Sequence, residues 1–136
     1  MAVNDVIAAK LELLSRYLER LRHIVPPSRA VLEGNWERQK AVERILQVMV
    51  EVVIDVADRL ISLRGLPPSA TAASSLERLA ELGILKDAAR YRDLVRFRDF
   101  IVHRYEDVDL SIVFGILSRH LGDFEEFARE VRSNVS

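Results

Sequence analysis

The feature that most constrains the fold is a long segment, residues 36–64, that is apolar on nearly every side. A helix of this kind is buried on most sides, and the chain has only 136 residues. The pattern therefore predicts a central helix that also faces a second subunit. Its apolar residues recur at spacings of three and four along two sides: Ile45, Val48, Met49, Val52 and Val56 on one, and Leu46, Val50, Val53, Ile54, Ala57 and Ile61 on the other.

A narrow polar stripe interrupts this apolar surface at the same spacing. A polar stripe on a mostly buried helix must face water, a partner charge or a cleft. Two interpretations of Glu51 and Asp55 stay equally open: they face the arginines of another helix and support a site, or they line the solvent seam of a bundle. The members of the stripe are Arg44, Gln47, Glu51, Asp55, Asp58 and Ser62.

Helical spacing continues on both sides of the central segment. An apolar stripe over residues 3–25 predicts a first helix that ends at Pro26-Pro27. Asn35 is suited to cap the central helix. Farther on, Ser74-x-x-Glu77 predicts a capping box that opens a short helix to about residue 82, and Gly83 fits the position just past its end.

Two more helices complete the predicted architecture. One covers residues 86–102, and the other covers residues 110–131 with Asp107 or Asp109 as its cap. No alternating strand pattern and no internal repeat accompany them. The sequence therefore predicts one all-α domain over residues 1–136, an antiparallel up-down bundle of four main helices and a short one.

Composition excludes several classes of protein. The formal net charge is −1, so any contact with nucleic acid must come from a local patch. The chain has no cysteine, hence no disulfide framework and no thiolate metal site. The N-terminus lacks a signal-peptide pattern, and no apolar run approaches the ~18 residues that span a bilayer. We therefore expect a cytoplasmic protein that makes no use of a membrane.

One short run carries most of the residues suited to chemistry, because Arg98, His103 and Tyr105 lie within eight residues. Arginine holds phosphate, histidine transfers protons near neutral pH, and a tyrosine hydroxyl can be modified. His23 and His120 stand apart from other possible ligands, and we interpret both as structural. Three scattered histidines do not make a metal site, so we expect no metal and no cofactor.

Arg98 and His103 do not converge on one regular helix. A separation of five residues points His103 about 140° away from Arg98. Either the helix loosens before His103, or a symmetric dimer supplies the arginine from one subunit and the histidine from the other. Both alternatives place the chemistry at a helix end or in a cleft between subunits.

The charge around this run favours an anionic ligand. The competing interpretation is a solvated helix whose arginines and aspartates pair at helical spacing. Between residues 90 and 106 five arginines face three acids, namely Arg90, Arg92, Arg96, Arg98 and Arg104 against Asp93, Asp99 and Glu106.

These residues resemble the signature of the HepT-like toxins of the HEPN superfamily. Members of that superfamily share an Arg-x4–6-His motif, often with Asn, Asp or His directly after the arginine, where this chain has Asp99. The segments 41–47, 82–85 and 96–109 are also close to the family's sequence. The resemblance therefore covers most of the chain in order, although Arg-x4-His by itself is a weak signal.

The resemblance implies a HEPN-like homodimer whose two motifs line a shared cleft. It implies a metal-independent endoribonuclease, the toxin of a type VII-like toxin–antitoxin system, with Arg98 and His103 as catalytic residues. It also implies a minimal nucleotidyltransferase antitoxin that transfers AMP onto Tyr105. The other residues assigned to the site in this interpretation are Asp99, Glu51 and Asp55 as supports, and Arg96 and Arg104 for RNA binding.

A second function stays open, that of a noncatalytic helical interaction module that binds a nucleotidyltransferase, a nucleotide or both. The combination of Arg98, His103 and Tyr105 favours the nuclease, because a module that only binds does not need all three. The sequence does not distinguish tRNA from mRNA as the target. Nor does it separate AMPylation from occlusion as the antitoxin's action.

Overall fold

All regular structure in the described part of the chain is helical, as predicted. The computed structural model describes residues 2–25, 28–103 and 110–135, with the backbone alone for residues 2–4 and 101–103. The predicted caps Asp107 and Asp109 fall outside these ranges. The elements are α1 (Ala2–Ile24), α2 (Arg29–Glu33), α3 (Trp36–Leu63), α4 (Ala72–Glu81), a 3₁₀ turn (Ala88–Tyr91), α5 (Arg92–His103), α6 (Leu110–Arg119) and α7 (Leu121–Asn134).

Helix α3 is the centre of an up-and-down bundle, and it contacts α1, α2, α4, α5 and α7. These neighbours cover the apolar sides of α3 within one chain, so its apolar pattern does not by itself require a second subunit. The homodimer therefore stays a prediction. The buried apolar residues of α3 are Val42, Leu46, Met49, Val50, Val52, Val53, Ile54, Val56, Ala57, Leu60 and Ile61.

The observed helix caps agree in part with those predicted from the sequence. The Asn35 side chain caps α3 as predicted, accepting from the Arg38 N–H at 3.0 Å. The capping box of α4 lies one turn earlier than predicted, because the cap is Thr71. Its Oγ1 accepts from the Ser74 N–H, and Ser74 Oγ accepts from the Thr71 N–H, both at 3.0 Å. Gly83 follows the end of α4 as predicted, with φ +77°.

Helix α5 begins at Arg92 and not near residue 86, because the 3₁₀ turn precedes it. The buried carboxylate of Glu130 on α7 accepts from the Lys86 N–H at 2.6 Å and from the Tyr91 hydroxyl at 2.5 Å. These two bonds hold both ends of the short segment against α7. The segment between these two bonds forms a tight 3₁₀ turn in place of the α-helical turn that the sequence predicted.

The predicted final helix, residues 110–131, is divided into α6 and α7. His120 stands between them with φ −120° and ψ 2°, outside the helical range. The Asp123 N–H donates to the His120 carbonyl at 3.1 Å, and Gly122 between them is a weak helix former. The break turns the chain so that α7 packs against α1 and α3.

Across the described ranges, no helix combines the length and the apolar character that a membrane crossing requires.

From the contact between Tyr91 and Glu130 we predict that the folded protein loses stability at alkaline pH. Burial, followed by the hydrogen bond to Glu130, raises the pKa of Tyr91. The folded protein thus keeps a proton that the unfolded chain releases above about pH 10, and stability falls as pH rises past that value. We expect Tyr91→Phe to cost about 1–3 kcal/mol near neutral pH, because a buried carboxylate loses one of its donors. This deficit should shrink as the pH rises past about 10.

Urea unfolding followed by circular dichroism, at neutral pH and at alkaline pH, measures the deficit. Tyr17→Phe on α1 is the matched control, because Tyr17 is only partly buried. A Tyr91→Phe deficit that stays constant over the alkaline range would contradict the proposed coupling.

Candidate active site around Arg98

Arg98 is the centre of the candidate site, and two carboxylates orient its guanidinium. Its Nε donates to Glu51 Oε1 on α3 at 3.1 Å, and its Nη1 donates to Asp99 Oδ1 at 3.4 Å. The hydrogen bond to Glu51 raises the pKa of Arg98, against a smaller opposing effect of burial. The guanidinium is therefore a permanent cation whose direction is set by its neighbours.

The ion pair of Arg98 and Glu51 remains open to solvent. The exposed fractions of the two side chains are 31% and 43%, so an anionic ligand can reach the guanidinium. A guanidinium has more N–H donors than these two carboxylate contacts use. The arrangement can hold a phosphate oxygen while Glu51 and Asp99 keep the arginine in place.

The polar stripe of α3 ties that helix to three different neighbours. Glu51 binds Arg98 on α5, Asp55 lies 2.6 Å from Lys10 Nζ on α1, and Asp58 accepts a hydrogen bond from α4 at 2.6 Å. Glu51 thus fits the interpretation in which the stripe faces an arginine of another helix. Asp55 faces α1 instead, so the structure separates two residues that the sequence had grouped.

Arg96 lies on the solvent side of α5, apart from Arg98. Its side chain is 71% exposed, and its Nη1 lies 3.6 Å from Asp93 Oδ1. It lines two cavities, one between α5 and α6 and the other beside α4. The structure leaves Arg96 accessible to an anionic ligand.

Three predicted site residues fall at or beyond the end of α5. His103 is the last residue of that helix, and its side chain is outside the description. Arg104 and Tyr105 lie outside the described residues. Their parts in the site therefore stay predictions.

A second polar cluster, around His120, was missed by the sequence reasoning. His120 Nε2 lies 3.0 Å from Asp93 Oδ2, and its Nδ1 lies 2.8 Å from Asp123 Oδ2. Beside it, α5 and α6 line a partly open cavity of about 440 Å³. The sequence feature that could have indicated this cluster and its cavity is the spacing of Asp93, Arg96 and Phe100, which share one face of α5.

Comparison with known proteins gives a family and two relatives. The sequence model of the family described as Ribonuclease HepT-like matches residues 14–131. A tRNA nuclease HepT of Aphanizomenon flos-aquae is 28% identical over 130 residues, which cover 94% of this chain and 88% of the relative. An mRNA nuclease HepT of Shewanella oneidensis is 24% identical over 133 residues, covering 96% and 99%.

Solved structures share the fold. A tri-AMPylated HEPN toxin of Shewanella oneidensis, in complex with an MNT antitoxin, matches with a TM-score of 0.83 at 23% identity, over 96% of this chain and 98% of that one. A crystal structure of a toxin–antitoxin with AMP-PNP matches with a TM-score of 0.85 at 23% identity, over 96% and 99%. The bundle is therefore HEPN-like.

Asp55→Asn tests whether this carboxylate is a structural tie. Burial alone would raise the pKa of Asp55, but Lys10 and then Arg59 outweigh it and lower that pKa. The stabilising charge is present above the unfolded pKa and is lost as pH falls through the folded one. Because the pair is half-exposed, we expect a cost of about 0.5–1 kcal/mol near neutral pH that disappears in acid.

Urea unfolding at neutral and acid pH measures this cost. Lys10→Met should reproduce it, and the double variant should show less than the sum of the two costs. Fully additive costs would show that the two side chains do not interact.

Proposed function

This chain belongs to the Ribonuclease HepT-like family, and from that premise we propose that it is a metal-independent endoribonuclease toxin of a toxin–antitoxin pair. Two relatives named as RNA nucleases support the activity. The structural observation that carries the proposal is Arg98, held by Glu51 and Asp99 on an accessible part of α5. Five residues later, His103 ends the same helix.

In the proposed reaction, the 2′-hydroxyl of the RNA attacks the adjacent phosphorus. The bond from the 2′-oxygen to phosphorus forms, and the bond to the leaving 5′-oxygen breaks, giving a 2′,3′-cyclic phosphate and a 5′-hydroxyl. Arg98 holds the phosphate oxygens and offsets the charge that grows in the transition state. His103 takes the proton of the nucleophile or supplies one to the leaving oxygen, since histidine titrates near neutral pH.

Two subunits complete the site in this proposal. The side chain of Arg98 is directed to α3 by Glu51, and residue 103 lies about 140° further round an ideal helix. A two-fold pairing of α5 helices therefore brings the arginine of one subunit to the histidine of the other. The two histidines then divide the work of base and acid. Arg96 and Arg104 hold flanking phosphates of the RNA.

The proposed antitoxin is a minimal nucleotidyltransferase that transfers AMP to Tyr105. The fold shared with a tri-AMPylated HEPN toxin in complex with an MNT antitoxin motivates this part of the proposal. AMP on Tyr105 adds bulk and negative charge close to Arg98 and His103 in sequence. It therefore occupies the cleft and repels RNA.

RNA cleavage in excess EDTA tests the activity. We expect the purified protein to cut RNA without metal, and Arg98→Ala and His103→Ala each to lower the rate about a hundredfold or more. Glu51→Gln should fall between these variants and the parent, because it weakens the orientation of Arg98 and leaves the guanidinium present. Cleavage products resolved on a denaturing gel give the rates.

Matched controls come from the same chain. His23→Ala removes an exposed histidine at the end of α1, and Asp55→Asn removes a stripe carboxylate that pairs with Lys10 on α1, so both should cleave RNA like the parent. Cleavage abolished by EDTA would contradict the metal-independent mechanism. A folded, unmodified protein that cuts no RNA would favour the noncatalytic interaction module.

Tyr105→Phe tests the control by AMP transfer. We expect mass spectrometry to find AMP on Tyr105 after co-expression with the cognate nucleotidyltransferase and none on the phenylalanine variant, since the accepting hydroxyl is gone. Growth of the co-expressing strain should fail with Tyr105→Phe and persist with Tyr17→Phe. Equal neutralisation of Tyr105→Phe and the parent would assign the antitoxin's effect to occlusion.

A further inference from the structure

The cavity between α5 and α6 is lined by groups that suit a nucleotide. Phe100 contributes an aromatic side chain, Arg96 and Arg119 are cations, and Ser111 carries a hydroxyl. Its volume of about 440 Å³ lies in the range of sites that hold one small ligand. Apart from Arg96, none of these residues has a part in the cleavage chemistry described above.

Gly115 leaves room for the Arg119 guanidinium. The glycine is buried in α6, and Arg119 Nη2 lies 2.8 Å from the point where a Cβ at residue 115 would stand. Any side chain there would push the guanidinium away. The glycine therefore lets Arg119 lie along α6, beside the cavity that both residues line.

Polar contacts between neighbouring side chains hold the polar wall of the cavity in place. His120 contacts Asp93 on α5 and Asp123 on α7, and Asp123 also lies 2.9 Å from Arg90 Nε. Arg96 offsets the charge of Asp93 at 3.6 Å. The wall thus joins α5, α7 and the 3₁₀ turn, and its carboxylates already have cationic or histidine partners.

We propose that this cavity is a subsite for one nucleotide of the RNA substrate, with the base stacked on Phe100 and a phosphate held by Arg119 and Arg96. The inference rests on the proposed ribonuclease function. Stacking on an aromatic side chain together with arginine contacts is how proteins hold single-stranded nucleic acid. Phe100 is three residues before His103, about one helical turn, and lies on the side of α5 away from its own chain's Arg98. The subsite therefore adjoins the histidine of the proposed two-subunit site and positions the strand to be cut.

Binding of an RNA that cannot react tests the subsite without requiring cleavage. A fluorescent 2′-O-methyl oligoribonucleotide lacks the attacking hydroxyl, and its anisotropy gives Kd for each protein. Phe100→Leu and Arg119→Gln should each raise Kd about tenfold, the loss expected for a stacked base or a charge contact. Arg132→Gln, at an exposed position in α7, removes the same charge away from the cavity and should leave Kd within about twofold.

Gly115→Ala supplies a second variant that acts through Arg119. The alanine should raise Tm, because glycine is a weak helix former, and yet raise Kd by displacing the guanidinium. In the Arg119→Gln background the same alanine should have no further effect on Kd. A further loss of affinity in that background would contradict the positioning role of Gly115.

The outcomes distinguish a failure of the proposed subsite from a failure of the proposed nuclease activity. Parent-like Kd in both Phe100→Leu and Arg119→Gln, or no binding by the parent, would overturn the subsite, whatever the cleavage assay shows. Tenfold weaker binding in the two variants beside a parent that does not cleave would retain the subsite and overturn the ribonuclease. A change of oligomeric state in either variant, measured by light scattering, would assign the cavity to a contact between subunits and overturn the subsite.

Discussion

The burial of α3 on almost every side is the constraint on which the rest of this structure depends. Because apolar residues occupy both broad sides of this helix, five other helices pack against it. Between residues 44 and 62, all of its polar side chains except Arg59 form one stripe. The carboxylates of that stripe then find partners on three different helices, α5, α1 and α4. The orientation of Arg98 is one consequence, because its guanidinium binds the carboxylate that faces α5.

Helix α5 carries different functional groups on its two sides. On one side, Arg98 is directed to α3 by Glu51. On the other, Phe100 and Arg96 line the cavity against α6. Phe100 and Arg96 are each two residues from Arg98, which on a helix of about 3.6 residues per turn places them about 160° away from it. The same geometry motivates the proposed two-subunit site, in which groups from opposite sides of two α5 helices meet.

Much of the fold could be predicted from the sequence, because spacing and caps are local. The central helix and its cap at Asn35 follow from residues that are near one another in the chain. The departures have long-range causes or unusual local ones. Glu130 lies 44 residues from Lys86 and 39 from Tyr91, and no local pattern shows that one buried carboxylate holds both. At α4, the observed capping box has a serine where the usual motif has a glutamate. The usual motif therefore predicted the cap at the wrong position.

The sequence by itself determined that the chain is helical, where its helices lie within a few residues, and which short run carries an arginine, a histidine and a tyrosine. Only the tertiary structure decided which charged side chains pair with each other. Glu51 and Asp55 are equivalent as a sequence pattern, one turn apart on the same stripe, yet packing gives the first to Arg98 and the second to Lys10. The physical reason is that periodicity sets the face on which a side chain lies, whereas its partner depends on which helix packs there.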